Sequence, residues 1–340
     1  MYKTRNILAV LLAFQLLLAL ALGLSGSSTA PQTAMPLVSF DRDGVDRIVL
    51  EGPEQTLTLA RKGGSWVLPE QDDFPVPDDQ VEKLLDRLAD LQTRLPVAAS
   101  EGARKRFRVD DEDFERRITL ARGEDTLARV YLGKSPGMRM IYAREDSQKD
   151  IHAVKMAAYD VPVEARDWED KSLLTLPQEN IRALEVAGLE IVRAGDAETD
   201  AGETPAARWQ ATGLKPREQL DQDAVDKLAR QLAGLRFDRV LGREEKEEYG
   251  LSGPVLALTL KTADSSDSIS YRLGKHSDQE VYTLKLSSRP EYFRLAPHTA
   301  KSLIEAAAYQ QLVSADTPEA EMEAETENTQ DSAPTDAPAS

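Results

Sequence analysis

The stretch YLGKSPGMRMIYAR (residues 131–144) recurs in altered form as YRLGKHSDQEVYTLKL (residues 271–286). Each stretch carries Leu-Gly-Lys, then a polar turn, then a strand-like segment that contains tyrosine. The alternation of apolar and polar residues around both predicts short antiparallel strands joined by turns. In this interpretation Gly133 and Gly274 end a strand and start a turn, where a flexible residue costs little. The recurrence about 140 residues further on indicates that one folding unit occurs twice.

The similarity extends outward from this pair to a predicted amphipathic helix. Residues 78–92 match residues 222–236 at an offset of 144, with four apolar residues in each spaced for one helical face. Asp78 and Asp221 are among the candidate N-caps in front of these helices. The matched apolar residues are Val81, Leu84, Leu88 and Leu91 in the first helix, and Val225, Leu228, Leu232 and Leu235 in the second.

The order of elements is the same in both copies, which predicts an α+β fold. We expect an N-terminal transmembrane helix followed by two duplicated α+β units of mainly antiparallel strands with amphipathic helices. The last helix of the second unit is predicted over residues 298–313. The predicted divisions are 1–30 (membrane anchor or signal segment), 31–36 (linker), 37–176 (first repeat), 177–314 (second repeat) and 315–340 (disordered tail with eight acids and no Lys or Arg).

The first thirty residues predict export. Lys3 and Arg5 precede 18 largely apolar residues, Ile7 to Leu24, interrupted only by Gln15. At about 1.5 Å per residue a helix of that length spans roughly 27 Å, enough for a bilayer core. An uncleaved anchor is the first interpretation, and a cleaved signal peptide or a buried soluble helix are the alternatives. The cations would stay in the cytoplasm, which places the body in the periplasm of a single-pass inner-membrane protein.

The overall charge limits the classes of partner. The chain carries a formal net charge of −17, which disfavours nucleic-acid binding because phosphate binding needs cations. The same total disfavours a polybasic membrane surface. There is no cysteine, so disulfides and thiolate metal sites are excluded.

No catalytic constellation is recognisable, and we predict a non-enzymatic protein without cofactor or metal. The chain has three histidines, His152, His276 and His298. No two of them are at metal-ligand spacing in the sequence, and none is part of a His-Glu-x-x-His pattern. The acidic run at residues 109–115 offers carboxylates for loose Ca²⁺ binding, although a solvated loop leading into a strand is the simpler interpretation.

The junction ARDWEDKSLL (residues 165–174) is the candidate interface. Trp168 lies among charged residues, with Arg166 and Lys171 on either side. Tryptophan and arginine are enriched at interaction hot spots, so these three residues could form a recognition surface. The alternative is that Trp168 is a buried anchor between the repeats.

These motifs together resemble a bacterial family known as domain of unknown function 4340. The resemblance covers most of residues 37–313 and follows FDRDGVDRIVLEG (40–52), the repeated Leu-Gly-Lys segments, the junction that continues to residue 186, and YFRLAP (292–297). It implies an envelope protein tethered to the inner membrane and encoded near ABC-type transporters, including gliding-like export systems. The family offers no catalytic residues to transfer to this chain.

The sequence is therefore compatible with three functions. The first is a periplasmic accessory protein, anchored in the inner membrane through residues 7–24, that works with ABC transporter subunits. The second is a periplasmic binding module for a glycan or lipid, with its site in a cleft between the repeats. The third is a carboxylate-based hydrolase, which would need two facing carboxylates with at least one strongly shifted pKa. The first is preferred, mainly because of the family resemblance.

Overall fold

The computed structural model describes Gln15 and residues 34–315, apart from residues 138, 195–208, 266 and 278. The predicted membrane segment, except for Gln15, and the acidic tail beyond Ala315 therefore lie outside the described residues. Among the helices that the structure describes, none is both long enough and apolar enough to cross a bilayer.

Short strands dominate the described part of the chain, as the sequence predicts. The strands are β1 (Met35–Pro36), β2 (Arg47–Glu51), β3 (Thr56–Lys62), β4 (Ser65–Leu68), β5 (Phe74–Pro75), β6 (Gln92–Thr93), β7 (Arg116–Arg122), β8 (Asp125–Leu132), β9 (Ile141–Glu145), β10 (His152–Val154), β11 (Ile181–Val186), β12 (Leu189–Arg193), β13 (Trp209–Thr212), β14 (Glu218–Leu220), β15 (Arg239–Val240), β16 (Leu256–Thr262), β17 (Ser268–Lys275), β18 (Tyr282–Leu286), β19 (Tyr292–Leu295) and β20 (Val313–Ala315). The helices are α1 (Asp78–Ala89), α2 (Glu101–Phe107), α3 (Gln222–Ala233), α4 (Pro297–Ala306) and α5 (Tyr309–Leu312), with 3-10 turns at Pro69–Gln71, Ala158–Asp160, Ala165–Asp167, Gln178–Asn180 and Glu247–Tyr249.

The chain divides into two compact units. The first contains the described residues up to Leu57 together with Glu82–Val163, and the second contains Thr58–Val81 together with the described residues from Glu164 onward. The division falls inside β3. The repeats over 37–176 and 177–314 are predicted from sequence similarity, whereas the two units are defined by contacts in space. The repeat boundaries therefore stay a prediction.

Both units are built on large antiparallel sheets, which confirms the α+β class. In the first unit, strands pair in the order β10-β9-β8-β7-β2, and β1 pairs with β6. In the second unit, eight strands follow the order β13-β12-β11-β16-β17-β18-β19-β15, β3 pairs with β4 and β4 with β5, and β14 pairs with β20. The run β2-β7-β8-β9-β10 has the same order and directions as β11-β16-β17-β18-β19, which is the arrangement that an internal duplication predicts.

The two amphipathic helices bury the faces that their spacing predicts. All eight matched apolar residues, from Val81 to Leu91 and from Val225 to Leu235, are at most 4% exposed. The helices are shorter than predicted, so Leu91 and Leu235 lie just after the ends of α1 and α3. The Asp221 carboxylate caps α3, accepting a hydrogen bond from the Ala224 amide at 2.9 Å. Asp78 lies inside α1 instead, and its Oδ1 accepts a hydrogen bond from the Trp66 amide at 2.9 Å.

The prediction of one helix over residues 298–313 is wrong. The backbone is extended at Ala308 (φ −70°, ψ 137°), and the chain forms α4 and α5 instead. The break has a packing reason, because it directs fully buried Leu312 inward and lets β20 pair with β14. Helical propensity alone does not predict this break, because the break depends on tertiary packing.

The glycines of the two Leu-Gly-Lys motifs are required for a different reason from the one their position predicts. Gly274 lies within β17 and Gly133 directly after β8, and neither has a positive φ. A Cβ at Gly133 would lie 2.6 Å from the Arg108 carbonyl oxygen, and one at Gly274 would lie 2.8 Å from the Gly250 carbonyl carbon. Arg108 and Gly250 each end a helical turn in the left-handed conformation (φ 56° and 65°). In both units the absence of a side chain at the glycine therefore allows the backbone of a helical turn to pack directly against it.

Candidate functional site

The junction places its three candidate interface residues in different environments. Trp168 is 1% exposed, so its indole lies in the core and cannot contact a partner at the surface. Arg166 is 46% exposed at its side chain and pairs with Glu164 at 2.7 Å and with Asp167 at 3.9 Å. Exposed pairs of this kind contribute little stability, about 0–1 kcal/mol, so a partner can replace them at small cost. Burial of Trp168 leaves Arg166 and Lys171 as the accessible part of the predicted interface.

A buried carboxylate next to Trp168 ties the junction to the edge strand β15. Glu169 is 3% exposed, and its Oε2 accepts hydrogen bonds from the Lys171 ammonium at 2.7 Å and from the Val240 amide at 3.1 Å. The Lys171 ammonium also donates to the Asp238 carbonyl oxygen and lies 4.7 Å from the centroid of the Phe237 ring. Burial strengthens the two hydrogen bonds that the Glu169 carboxylate accepts. The arrangement fixes the junction and leaves Lys171 partly exposed.

A second buried carboxylate lies directly before β19, the strand that pairs with β15. Glu291 is 6% exposed, and its Oε1 accepts a hydrogen bond from Arg243 at 3.1 Å. Arg243 also donates to the Asp72 carbonyl oxygen at 3.0 Å. Glu169 and Glu291 each keep one oxygen without a hydrogen-bond partner among the described residues. Each carboxylate has its own cation, which is the pattern of structural pairing rather than of an acid and base that share a substrate.

The acidic run at residues 109–115 is held by arginines. Arg108 pairs with Asp113 at 2.8 Å and with Glu115 at 2.5 Å, and these carboxylates raise the pKa of Arg108. Asp111 pairs with Arg144, whose side chain is 1% exposed. Within the described residues, no group of three or more His, Asp or Glu side chains could hold a metal ion. Three carboxylates of the run, those of Asp111, Asp113 and Glu115, therefore have cationic partners already.

Arg144 is the centre of this cluster. Its Nε donates to the Val109 carbonyl oxygen at 2.8 Å, and Nη1 donates to the carbonyl oxygen of Asp146 at 3.2 Å. Its guanidinium lies 4.3 Å from the centroid of the Tyr131 ring. Burial, followed by the charges of Asp146 and Asp111, raises the pKa of Tyr131. The cluster fixes the acidic loop onto β8 and β9.

The three histidines lie apart and have structural partners. His152 is 6% exposed, and its Nδ1 donates to the Arg94 carbonyl oxygen at 3.1 Å. His276 Nε2 lies 3.1 Å from the Thr283 hydroxyl oxygen. His298 lies in the first turn of α4, as predicted, with its Nε2 3.2 Å from the hydroxyl oxygen of Thr299. None of these contacts is between a histidine and a carboxylate.

The second unit has an open groove of about 390 Å³ across β11, β16 and β17. Its lining includes Glu185, Thr259, Ser270 and Arg272, and one aromatic residue, Tyr271. Burial raises the pKa of Tyr271 to about 12, so the phenol stays neutral at physiological pH. A binding module for a glycan or lipid would be favoured by several aromatic side chains, and this groove offers only one.

Two surface features were missed at the sequence level. In the sequence analysis no helix is predicted at α2, although Ser100 is its N-cap and three cations occupy its last turn. Two signals in the sequence indicate this helix: the N-cap serine, and the cations at its C-terminal end, where the helix dipole is negative. The second feature is a pair of exposed apolar residues, Leu95 and Val97, just before that helix.

The fold defines an α+β protein in which the same order of strands occurs twice. At the candidate site, charged residues are paired with one another in structural roles. Residues 66–254 match the family model described as "Domain of unknown function (DUF4340)". Because the match spans more than half of the chain, the protein belongs to this family. Comparison with curated proteins and with solved structures gives no match.

Proposed function

We propose that the chain is a non-enzymatic periplasmic accessory protein, anchored in the inner membrane and working with an ABC-type transport or gliding-like export system. The apolar run at residues 7–24 behind Lys3 and Arg5 supports an anchor with the body outside the cytoplasm. Membership of the DUF4340 family supports the association with transporters, because the resemblance implies it.

One observation carries the membrane-bound part of the proposal. Strand β1 begins at Met35, and only ten residues separate it from the end of the apolar run at Leu24. Ten extended residues reach at most about 35 Å, so an anchored body stays beside the bilayer and beside any membrane partner. Short tethers of this kind raise the effective concentration of a partner in the same membrane.

The surface beside the junction is the proposed contact. Arg166 and Lys171 project from a segment that buried Trp168 and Glu169 hold in place, so a partner would meet a preorganised pair of cations. Preorganisation lowers the entropic cost of binding. Such a surface fits an acidic segment of a transporter subunit.

Site-specific photo-crosslinking in intact cells tests this contact. We expect a photoreactive residue at position 166 to give adducts with ABC transporter subunits, identified by mass spectrometry. Arg182, exposed on β11, provides the matched control position in the same unit. Adducts with transporter subunits at neither position, from protein that is present in the membrane, would count against the proposal. Adducts with a glycan or lipid at either position would favour the binding-module alternative.

A further inference from the structure

The first unit exposes apolar side chains where the chain enters it. Met35 is 65% exposed, Leu95 is 68% exposed and Val97 is 47% exposed. Met35 pairs with Thr93 between β1 and β6, so the described chain begins two residues away from Leu95 along the neighbouring strand. We call Met35, Leu95 and Val97 the entry patch.

The loop that carries the entry patch is held firmly from behind. The Arg94 carbonyl oxygen accepts the hydrogen bond from His152, and the Val97 amide donates to the Ile151 carbonyl oxygen at 2.7 Å. The Ile151 amide donates to the Ala98 carbonyl oxygen at 2.7 Å. Because the backbone is fixed on both sides, Leu95 and Val97 are presented to solvent rather than left free to fold inward.

Cations flank the entry patch. Helix α2 buries Ala103 against Val109, Tyr131 and Ile151, and Ala98 of the entry loop packs on the same cluster. In the same helix, Lys105 and Arg106 are exposed.

These cations stand out in an acidic chain. Residues 94–108 contain five cations and one acid, although the whole chain carries −17. Among the described residues, Arg94, Lys105 and Arg106 form no ion pair with any carboxylate. The net charge of the whole chain disfavours a polybasic membrane surface, but it does not reveal this local excess of positive charge.

From this geometry we propose that the entry patch and the flanking cations Arg94, Lys105 and Arg106 lie on an anionic bilayer surface. The inference rests on the proposed membrane anchor. The tether ends at Met35, and the pairing of β1 with β6 brings Met35 beside Thr93, two residues before Leu95. Exposed apolar side chains flanked by unpaired cations are what an interfacial membrane contact requires.

The chain has no cysteine, which allows a direct test with the full-length protein. Single cysteines at Leu95 and Val97 are labelled with the fluorophore NBD, and the protein is reconstituted in vesicles that contain phosphatidylglycerol and a lipid-borne nitroxide quencher. Val192→Cys and Val255→Cys are matched controls, since these residues are 43% and 44% exposed in the second unit. We expect labels at 95 and 97 to lose most of their emission, and the control labels to retain theirs.

Charge reversal separates a lipid contact from simple proximity. In the Leu95→Cys protein, Lys105→Glu with Arg106→Glu is expected to reduce the quenching in phosphatidylglycerol vesicles and to have little effect in phosphatidylcholine vesicles. Retention of the chain through alkaline extraction, together with equal quenching at all four positions, would overturn the patch but not the anchor. Release of the chain by alkaline extraction would overturn both. A blue-shifted but unquenched label at 95 would mean that protein covers the patch, which also contradicts the proposal.

Discussion

Replacing Gly274 with alanine is expected to lower the free energy of unfolding by about 3 kcal/mol, at the upper end of the usual cost of overpacking. The new Cβ would lie 2.8 Å from the Gly250 carbonyl carbon and in steric conflict with the Tyr249 carbonyl oxygen. These are backbone atoms at the end of a helical turn, so no side-chain rotation relieves the overlap. Gly133→Ala meets the Phe107 and Arg108 carbonyl oxygens in the same way. Both effects are measured by urea unfolding followed by circular dichroism.

Two other glycines provide the controls. A Cβ at Gly253 or at Gly102 has no neighbouring atom within 4 Å, and neither residue has a positive φ. Gly253→Ala should be neutral, and Gly102→Ala should stabilise α2 by up to about 1 kcal/mol. If Gly133→Ala and Gly274→Ala cost no more than these controls, the equivalent packing of helical turns in the two units is wrong.

Arg144→Met is expected to lower the free energy of unfolding by about 3 kcal/mol, as for other buried cations with several hydrogen bonds. The substitution leaves the Val109 and Asp146 carbonyl oxygens without the donors that Arg144 supplies, and it removes the contact with the Tyr131 ring. Arg144→Lys should recover little of the loss, since one ammonium cannot reach all of these acceptors. Thermal and urea unfolding measure the effect.

The ion pair itself contributes less than the backbone contacts. Asp111, the carboxylate partner of Arg144, is 61% exposed at its side chain, so Asp111→Asn should cost less than about 1 kcal/mol. A large loss in Asp111→Asn with a small loss in Arg144→Met would reverse this assignment. Equal losses would mean that the pair, rather than the carbonyl contacts, holds the acidic loop.

Local patterns were sufficient to predict much of the fold. The burial of the six matched apolar residues in α1 and α3, and of Leu91 and Leu235 just after these helices, follows from their spacing. The strands around the Leu-Gly-Lys motifs follow from alternation. Tertiary contacts decided what the sequence missed. The break at Ala308 depends on where Leu312 packs, and the need for Gly133 and Gly274 depends on helical turns far away in the sequence.

The candidate site was predicted less well, because its roles depend on burial. Arg166, Trp168 and Lys171 share one short segment, but only the structure separates a core indole from two accessible cations. The acidic run looked like free carboxylates, and its partner Arg144 lies 33 residues away from Asp111. The cations of α2 were obscured by the acidic total, since net charge does not report local distribution.

Co-purification of crosslinked membrane partners is the direct test of whether the anchored protein works with an ABC transporter. Full-length protein would be compared with a form in which residues 1–30 are replaced by a cleavable export signal, so that the same body is released into the periplasm. We expect ABC transporter subunits to be recovered with the full-length protein and to be lost, or strongly reduced, with the released body. Recovery of no transporter subunit with the full-length protein, although it is present in the inner membrane, would rule out the proposed association.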